Sequence, residues 1–217
     1  EDRLKRNLLS SQPMCVNLFG MFKLYPDEAA LVLRSATGLA IECVERVEIE
    51  VAPDQAMAIL ADRTAFDAYV EYRDTDGKRR FLGIETKYTE PFSNDLGLDE
   101  TKRDKYRRLA ADFNAFRSPL SPELLTPKAS QLFRNVLLAM AHTKSAQMPG
   151  HVLVVALAND PAAATGVRTV REHLLAPNDH LHGVSIESII DAAASVPLFA
   201  RWAAHFRQRY LDLSTVE

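Results

Sequence analysis

The sequence predicts an α/β fold: a mixed β-sheet with an antiparallel three-strand meander, flanked by helices. Three observations carry this. VERVEIEV (44–51) alternates apolar and charged residues, as a half-buried strand does. AFDAYVEY (65–72) and FLGIETKY (81–88) are two further strand-like runs. They are joined by RDTDGKRR, whose Asp76-Gly77 pair signals a hairpin because glycine tolerates the positive φ of a tight turn. HVLVVALA (151–158) is a continuous apolar run suited to a strand buried on both faces, with helical periodicity before and after it.

Taken in order, a helix is expected from Asp27 to about Ala36. Pro26 precedes it, acids occupy its first turn and Gly38 follows it. In strand 44–51, Val47, Ile49 and Val51 fall on one side and Arg46, Glu48 and Glu50 on the other. Residues 91–127 hold a helix flanked by loops. PKASQLFRNVLLAMAH (127–142) is helical, with Leu132, Val136, Ala139 and Met140 on one face. Helices over roughly 161–176, 186–195 and 198–210 complete the chain, with a short strand near 182–186. Trp202, Phe199, Phe206 and Tyr210 recur at helical spacing, which fits core packing better than base stacking.

The 217 residues fit a single domain, 1–217, and 47% hydrophobic content is enough for a substantial core. No apolar run approaches a membrane span, and the N-terminus lacks the apolar stretch of a secretory signal, so no membrane partner is expected. Two cysteines, Cys15 and Cys43, make neither a disulfide scaffold nor a zinc site, which points to a cytoplasmic protein. A net charge of −3 argues against a protein that coats nucleic acid. Local charge is another matter. TKRDKYRR (101–108) carries five cations and one anion, and Lys78, Arg79 and Arg80 form a second run. Either is a solvated face or a phosphate contact, with Lys102, Arg103 and Lys105 the candidates in the first. His151, His173, His180 and His182 do not form a convincing metal set. No nucleophile elbow and no Walker loop occur, so neither serine chemistry nor a nucleotide cofactor is expected.

The hairpin carries the chemistry. By alternation Glu85 and Lys87 share one face and Ile84, Thr86 and Tyr88 the other. Asp67 shares a face with Tyr69 and Glu71, opposite Phe66, Ala68 and Val70. A turn centred on Asp76 places Asp67 directly across from Glu85, with Cβ atoms about 5 Å apart. Carboxylates this close repel unless a cation lies between them or one takes up a proton. Mg²⁺, for which Mn²⁺ can substitute, fits an oxygen ligand set of Asp67, Glu85 and the Thr86 carbonyl. The Lys87 ammonium then orients the nucleophile or offsets developing charge. The bland alternative is a surface ion pair of Glu85 with Lys87.

TAFDAYVEY…GKRRFLGIETKYTE resembles the PD-(D/E)XK nuclease superfamily, the restriction-endonuclease-like fold, whose motif is an aspartate followed by Glu-X-Lys on the next strand. Here these are Asp67, Glu85 and Lys87. SSQPMCVNLFG (10–20), GIETKYTE (83–90) and QLFRN (131–135) are similar to a bacterial branch of restriction-type endonucleases, and the resemblance spans most of the chain. Phe66 stands where the motif's proline would be. The resemblance implies a metal-dependent endonuclease acting on DNA in bacterial defence or DNA processing. It also implies that Gln131 orients water or phosphate and that Arg134 contacts the DNA backbone. An additional acidic residue is expected, and Glu50 is the choice among Glu42, Glu45, Glu48 and Glu50. Ser11, Gln12 and Asn17 read as structural.

Two other readings stand beside this one: a nucleic-acid-binding module that keeps the fold but does not cut, and an acidic interaction protein. Cutting both strands needs two centres, which makes a homodimer the natural assembly.

Overall fold

The computed structural model describes residues 10–53, 58–61, 64–89 and 99–212. It is an α/β fold on a five-stranded mixed sheet in the order β1-β2-β3-β4-β5. Strands β1 (Ile41–Val51), β2 (Phe66–Asp74) and β3 (Arg79–Thr86) form the antiparallel meander. Strand β4 (Gly150–Ala156) joins β3 in parallel, and β5 (Leu181–Ser185) joins β4 in parallel at the edge. The predicted short strand near 182–186 is therefore β5.

Helices cover both faces. On one side lie α1 (Ser11–Leu24), α2 (Pro26–Thr37), α6 (Ile186–Ala194) and α7 (Ala200–Tyr210), and on the other α3 (Glu100–Phe113), α4 (Ser130–Ala146) and α5 (Pro161–His173). Ala68, Val70, Leu82, Ile84, Leu153 and Val155 pack toward the first layer. Tyr69, Phe81, Val152 and Val154 pack toward the second. This is the alternation expected of strands that separate two cores. Among the described residues no helix is long and apolar enough to cross a membrane.

Several boundaries differ from expectation. Helix α1 was not foreseen: it has no acid in its first turn and buries Met14, Cys15, Leu18, Phe19 and Phe22, so no polar stripe marks its period. Residues 91–98 of the stretch expected to hold loops and a helix lie outside the described residues. Helix α4 starts at Ser130, beyond Pro127, and buries Phe133, Leu137, Leu138 and Ala141 as well as the predicted face, because it is packed between the sheet and α3. Helix α5 stops at His173, not at 176, and Pro177 opens a short 3-10 turn.

The hairpin register is the one the turn predicts. Every pair from Ala68↔Ile84 to Arg73↔Arg79 is centred on Asp76. Gly77 takes φ +77°, and Asp74 ties the turn by accepting from the N–H groups of Asp76 and Lys78 at 3.0 and 2.9 Å. In β1 the expected alternation fails at one place. Ile49 packs with the α1 side, whereas Val51 packs with the α4 side. Between them Glu50 has φ +57°, a left-handed conformation that swivels the strand. Phe66 also joins the α4 side, stacking near Tyr69, instead of sharing the side of Ala68.

Gly83 is a steric requirement. A Cβ there would lie 2.4 Å from the ring of Phe66, closer than packed carbon atoms approach. Gly83→Ala is expected to cost about 1–3 kcal/mol by forcing that ring off its rotamer. Urea denaturation measures it, and a loss under about 0.5 kcal/mol would contradict the packing argument.

Candidate active site

Three strand ends meet at one edge of the sheet. Continuing the β2–β3 register by one step places Asp67 opposite Glu85. In the β1–β2 ladder Ile49 faces Ala68 and Val51 faces Phe66, so Glu50 stands across from Asp67. Glu50, Asp67 and Glu85 thus occupy a single row across three neighbouring strands.

Asp67 is held by its neighbour strand. Its Oδ2 accepts from the Thr86 N–H at 2.8 Å and from the Thr86 hydroxyl at 2.9 Å, while Cys15 Sγ of α1 donates to the Asp67 carbonyl at 3.6 Å. Glu85 is almost completely enclosed, and its two oxygens are divided between partners. Oε1 accepts from Gln131 Nε2 at 2.6 Å and pairs with Lys87 Nζ at 2.9 Å, and Oε2 accepts from Asn135 Nδ2 at 2.7 Å. Lys87 Nζ also donates to Gln131 Oε1 at 3.1 Å, closing a ring of three side chains. The Lys87 N–H donates to the Val155 carbonyl at 2.8 Å, which fixes the backbone just beyond β3 against β4.

The charges are under stress. Burial raises Glu85 to about 7, and the nearby charge of Asp67 adds to this, while Lys87 and Asn135 oppose it. Burial also raises Asp67, and Glu50 adds to that; the two Thr86 bonds and Lys87 act the other way. The Cys15 thiol, raised by burial and then by Asp67, stays protonated at neutral pH.

Among the described residues no group of three His, Cys, Asp or Glu side chains is already gathered to hold a metal. The donor chemistry nevertheless suits a hard divalent cation. The buried carboxylate of Glu85 and the half-buried one of Asp67, each held above its ordinary range and one raising the other, lose that penalty when a cation lies between them.

The other predicted residues fall in different places. Gln131 and Asn135 are four apart on α4 and share the face that meets Glu85. Arg134, half-buried, is on the same helix between them. Lys105 Nζ donates to the Ala61 carbonyl at 3.3 Å and lies over the Tyr106 ring, and Arg103 pairs with Glu100 at 3.9 Å. Lys102 is exposed in the first turn of α3. Glu50 bonds Gln12 of α1, so Gln12 reaches the row that sequence reasoning set it apart from. Asn17 bonds the Tyr210 hydroxyl, tying α1 to α7. Asn135 is assigned no role from the sequence, although Gln131 and Asn135, two amides four apart on a helix that buries most of its residues, are a signal for a shared buried acceptor.

A family model described as the PD-(D/E)XK nuclease superfamily matches residues 1–212. No curated protein and no solved structure matches the chain.

Proposed function

The chain belongs to the PD-(D/E)XK nuclease superfamily, and from that premise we propose that it is a Mg²⁺-dependent endonuclease that hydrolyses phosphodiester bonds in DNA. The observation that supports this most is the closed ring of Glu85, Lys87 and Gln131 beside Asp67. A buried ion pair gives little net stability for its desolvation cost, so a ring of this kind is better explained by chemistry than by folding.

In this reading Asp67, Glu85 and the Thr86 carbonyl hold the divalent ion, Mg²⁺ or Mn²⁺ in its place, with Glu50 as the additional acid. Such an ion, when bound, supplies Lewis-acid stabilisation of a phosphoryl oxygen. The protein's own residues do the rest. Lys87 presents an ammonium to the charge that grows on the phosphoryl oxygens during attack. Gln131 bonds both Glu85 and Lys87, keeps them in register and offers its amide to water or phosphate. Asn135 holds the far oxygen of Glu85, so the carboxylate cannot rotate away from the reacting edge. Arg134, Lys102, Arg103 and Lys105 contact the DNA backbone, positioning the duplex without reading its sequence. We assign the activity to bacterial defence or DNA processing by a single cytoplasmic domain, 1–217, with a homodimer supplying the second cut.

Cleavage of supercoiled plasmid in Mg²⁺ or Mn²⁺ tests this. Nicking or linearisation is expected, abolished by chelator and reduced at least about 10²-fold in Asp67→Ala. No cleavage of plasmid, single-stranded DNA or RNA, together with no divalent binding by calorimetry, would leave a binding module in place of an enzyme.

A further inference from the structure

At the opposite end of the sheet, where β3 and β4 begin, a cavity of about 660 Å³ opens between α3, α4 and the segment after α5. That volume suits a small organic ligand. Arg80 is on its wall, five residues before Glu85 along β3, so the cavity lies roughly 17 Å from the carboxylate row.

Its lining has three kinds of chemistry. Arg80 and Lys144 bring positive charge, and Asp179 is the acid among the lining residues. Arg80 is held in place by Asp74, to which its Nε donates at 2.5 Å. Lys144 is exposed and forms no ion pair among the described residues. Phe113, Met140 and Leu175 form an apolar wall, and Leu175 is 56% exposed.

The third element is His151. Its Nδ1 is buried with no hydrogen-bond partner among the described residues, and its ring meets the His182 ring edge-on at 5.0 Å. Burial, then His182 and Arg80, lower His151 to about 4, which keeps it neutral.

We propose that this cavity binds a nucleoside monophosphate. The phosphate meets Lys144 and Arg80, the base lies against Phe113, Met140 and Leu175, and the neutral His151 stands at the wall without adding charge. The same group exists as a free mononucleotide and as the phosphorylated end of a nucleic-acid strand, and the site recognises what the two share. It is not a Walker loop, which the chain lacks, and it does not depend on the cleavage reading.

Calorimetric titration of the whole chain without divalent ions, using AMP as the probe, tests the proposal. One AMP is expected to bind with a Kd on the order of 10–100 µM, with adenosine and inorganic phosphate each at least about tenfold weaker. Lys144→Ala, a change on an exposed side chain, should weaken AMP about tenfold, and Asp67→Ala should leave it unchanged. Competition by a 5′-phosphorylated dinucleotide assigns the site to strand ends, and lack of competition assigns it to free mononucleotides. No saturable heat up to about 5 mM AMP, or undiminished binding by Lys144→Ala, overturns the proposal. So does loss of binding in Asp67→Ala, which would place the nucleotide at the carboxylate row.

Discussion

Lys87→Ala is expected to lower the turnover of plasmid cleavage by about 10²–10³-fold while the protein remains folded. Lys87 is only 7% exposed, and its ammonium touches both Glu85 and Gln131. Its loss removes the cation set beside the reacting edge and also the main charge that holds Glu85 ionised. The variant's Glu85 therefore titrates higher than the wild type's about 7, and its pH–rate profile should shift toward higher pH. Lys87→Met, which keeps the apolar stem, should lose as much activity as the alanine, because the charge and not the volume matters. Lys87→Arg should rescue poorly, since a planar guanidinium does not fit where a compact ammonium sits between two oxygens. Circular dichroism separates these losses from unfolding. Retention of activity within about threefold in Lys87→Ala would remove Lys87 from the chemistry.

The part of this arrangement that the sequence made legible is the part governed by local rules. Asp76-Gly77 set the turn and with it the register that, continued by one step, puts Asp67 across from Glu85. Strand alternation holds through Ala68–Val70 but fails at Phe66, and the Asp67 carboxylate meets the Thr86 hydroxyl that alternation put on the other face. What stayed hidden depends on long-range packing. Nothing local announces that Glu50 adopts φ +57°, because a left-handed position occupied by a non-glycine residue has no signature of its own. That swivel sends Val51 into the opposite core and leaves Glu50 bonded to Gln12, thirty-eight residues earlier on a helix whose all-round apolarity concealed it. Asn135 shows the intermediate case. Its spacing from Gln131 was readable, but that both amides converge on Glu85 depends on how α4 lies across β3.

Charge was legible in amount and not in availability. The run 101–108 reads as strongly basic, yet Arg107 is paired with Glu100 at 2.8 Å and Asp104 at 2.7 Å, and Lys105 is engaged with Ala61. Likewise Arg79 is paired with Glu45 at 2.9 Å and Glu71 at 2.7 Å across the meander. Any phosphate that meets these arginines has to compete with carboxylates already in place, which lowers the affinity a simple count of cations suggests.

Glu85→Gln should make the metal-free protein more stable at alkaline pH than the wild type, and the two should converge in acid. The sign follows from the direction of the shift. Folding raises Glu85 from 4.5 to about 7, so the folded state binds this proton more tightly than the unfolded chain does. Its contribution to stability is fully present below about pH 4.5 and is lost as pH rises through about 7. A rise of that size corresponds to roughly 3 kcal/mol, an upper bound because glutamine leaves Lys87 without its carboxylate. Asn135 can turn its amide to accept from the new side chain, so the buried bond need not be lost. Urea denaturation in chelator at about pH 5 and about pH 8 isolates the effect as the difference between the two proteins. Adding Mg²⁺ at the higher pH should then reverse the order, stabilising the wild type by about 2.7 kcal/mol at a hundredfold excess over Kd and the variant far less. A wild type that outlasts Glu85→Gln in chelator at about pH 8 would mean that the buried carboxylate is already compensated by the protein, and that the stress assigned to this edge of the sheet does not exist.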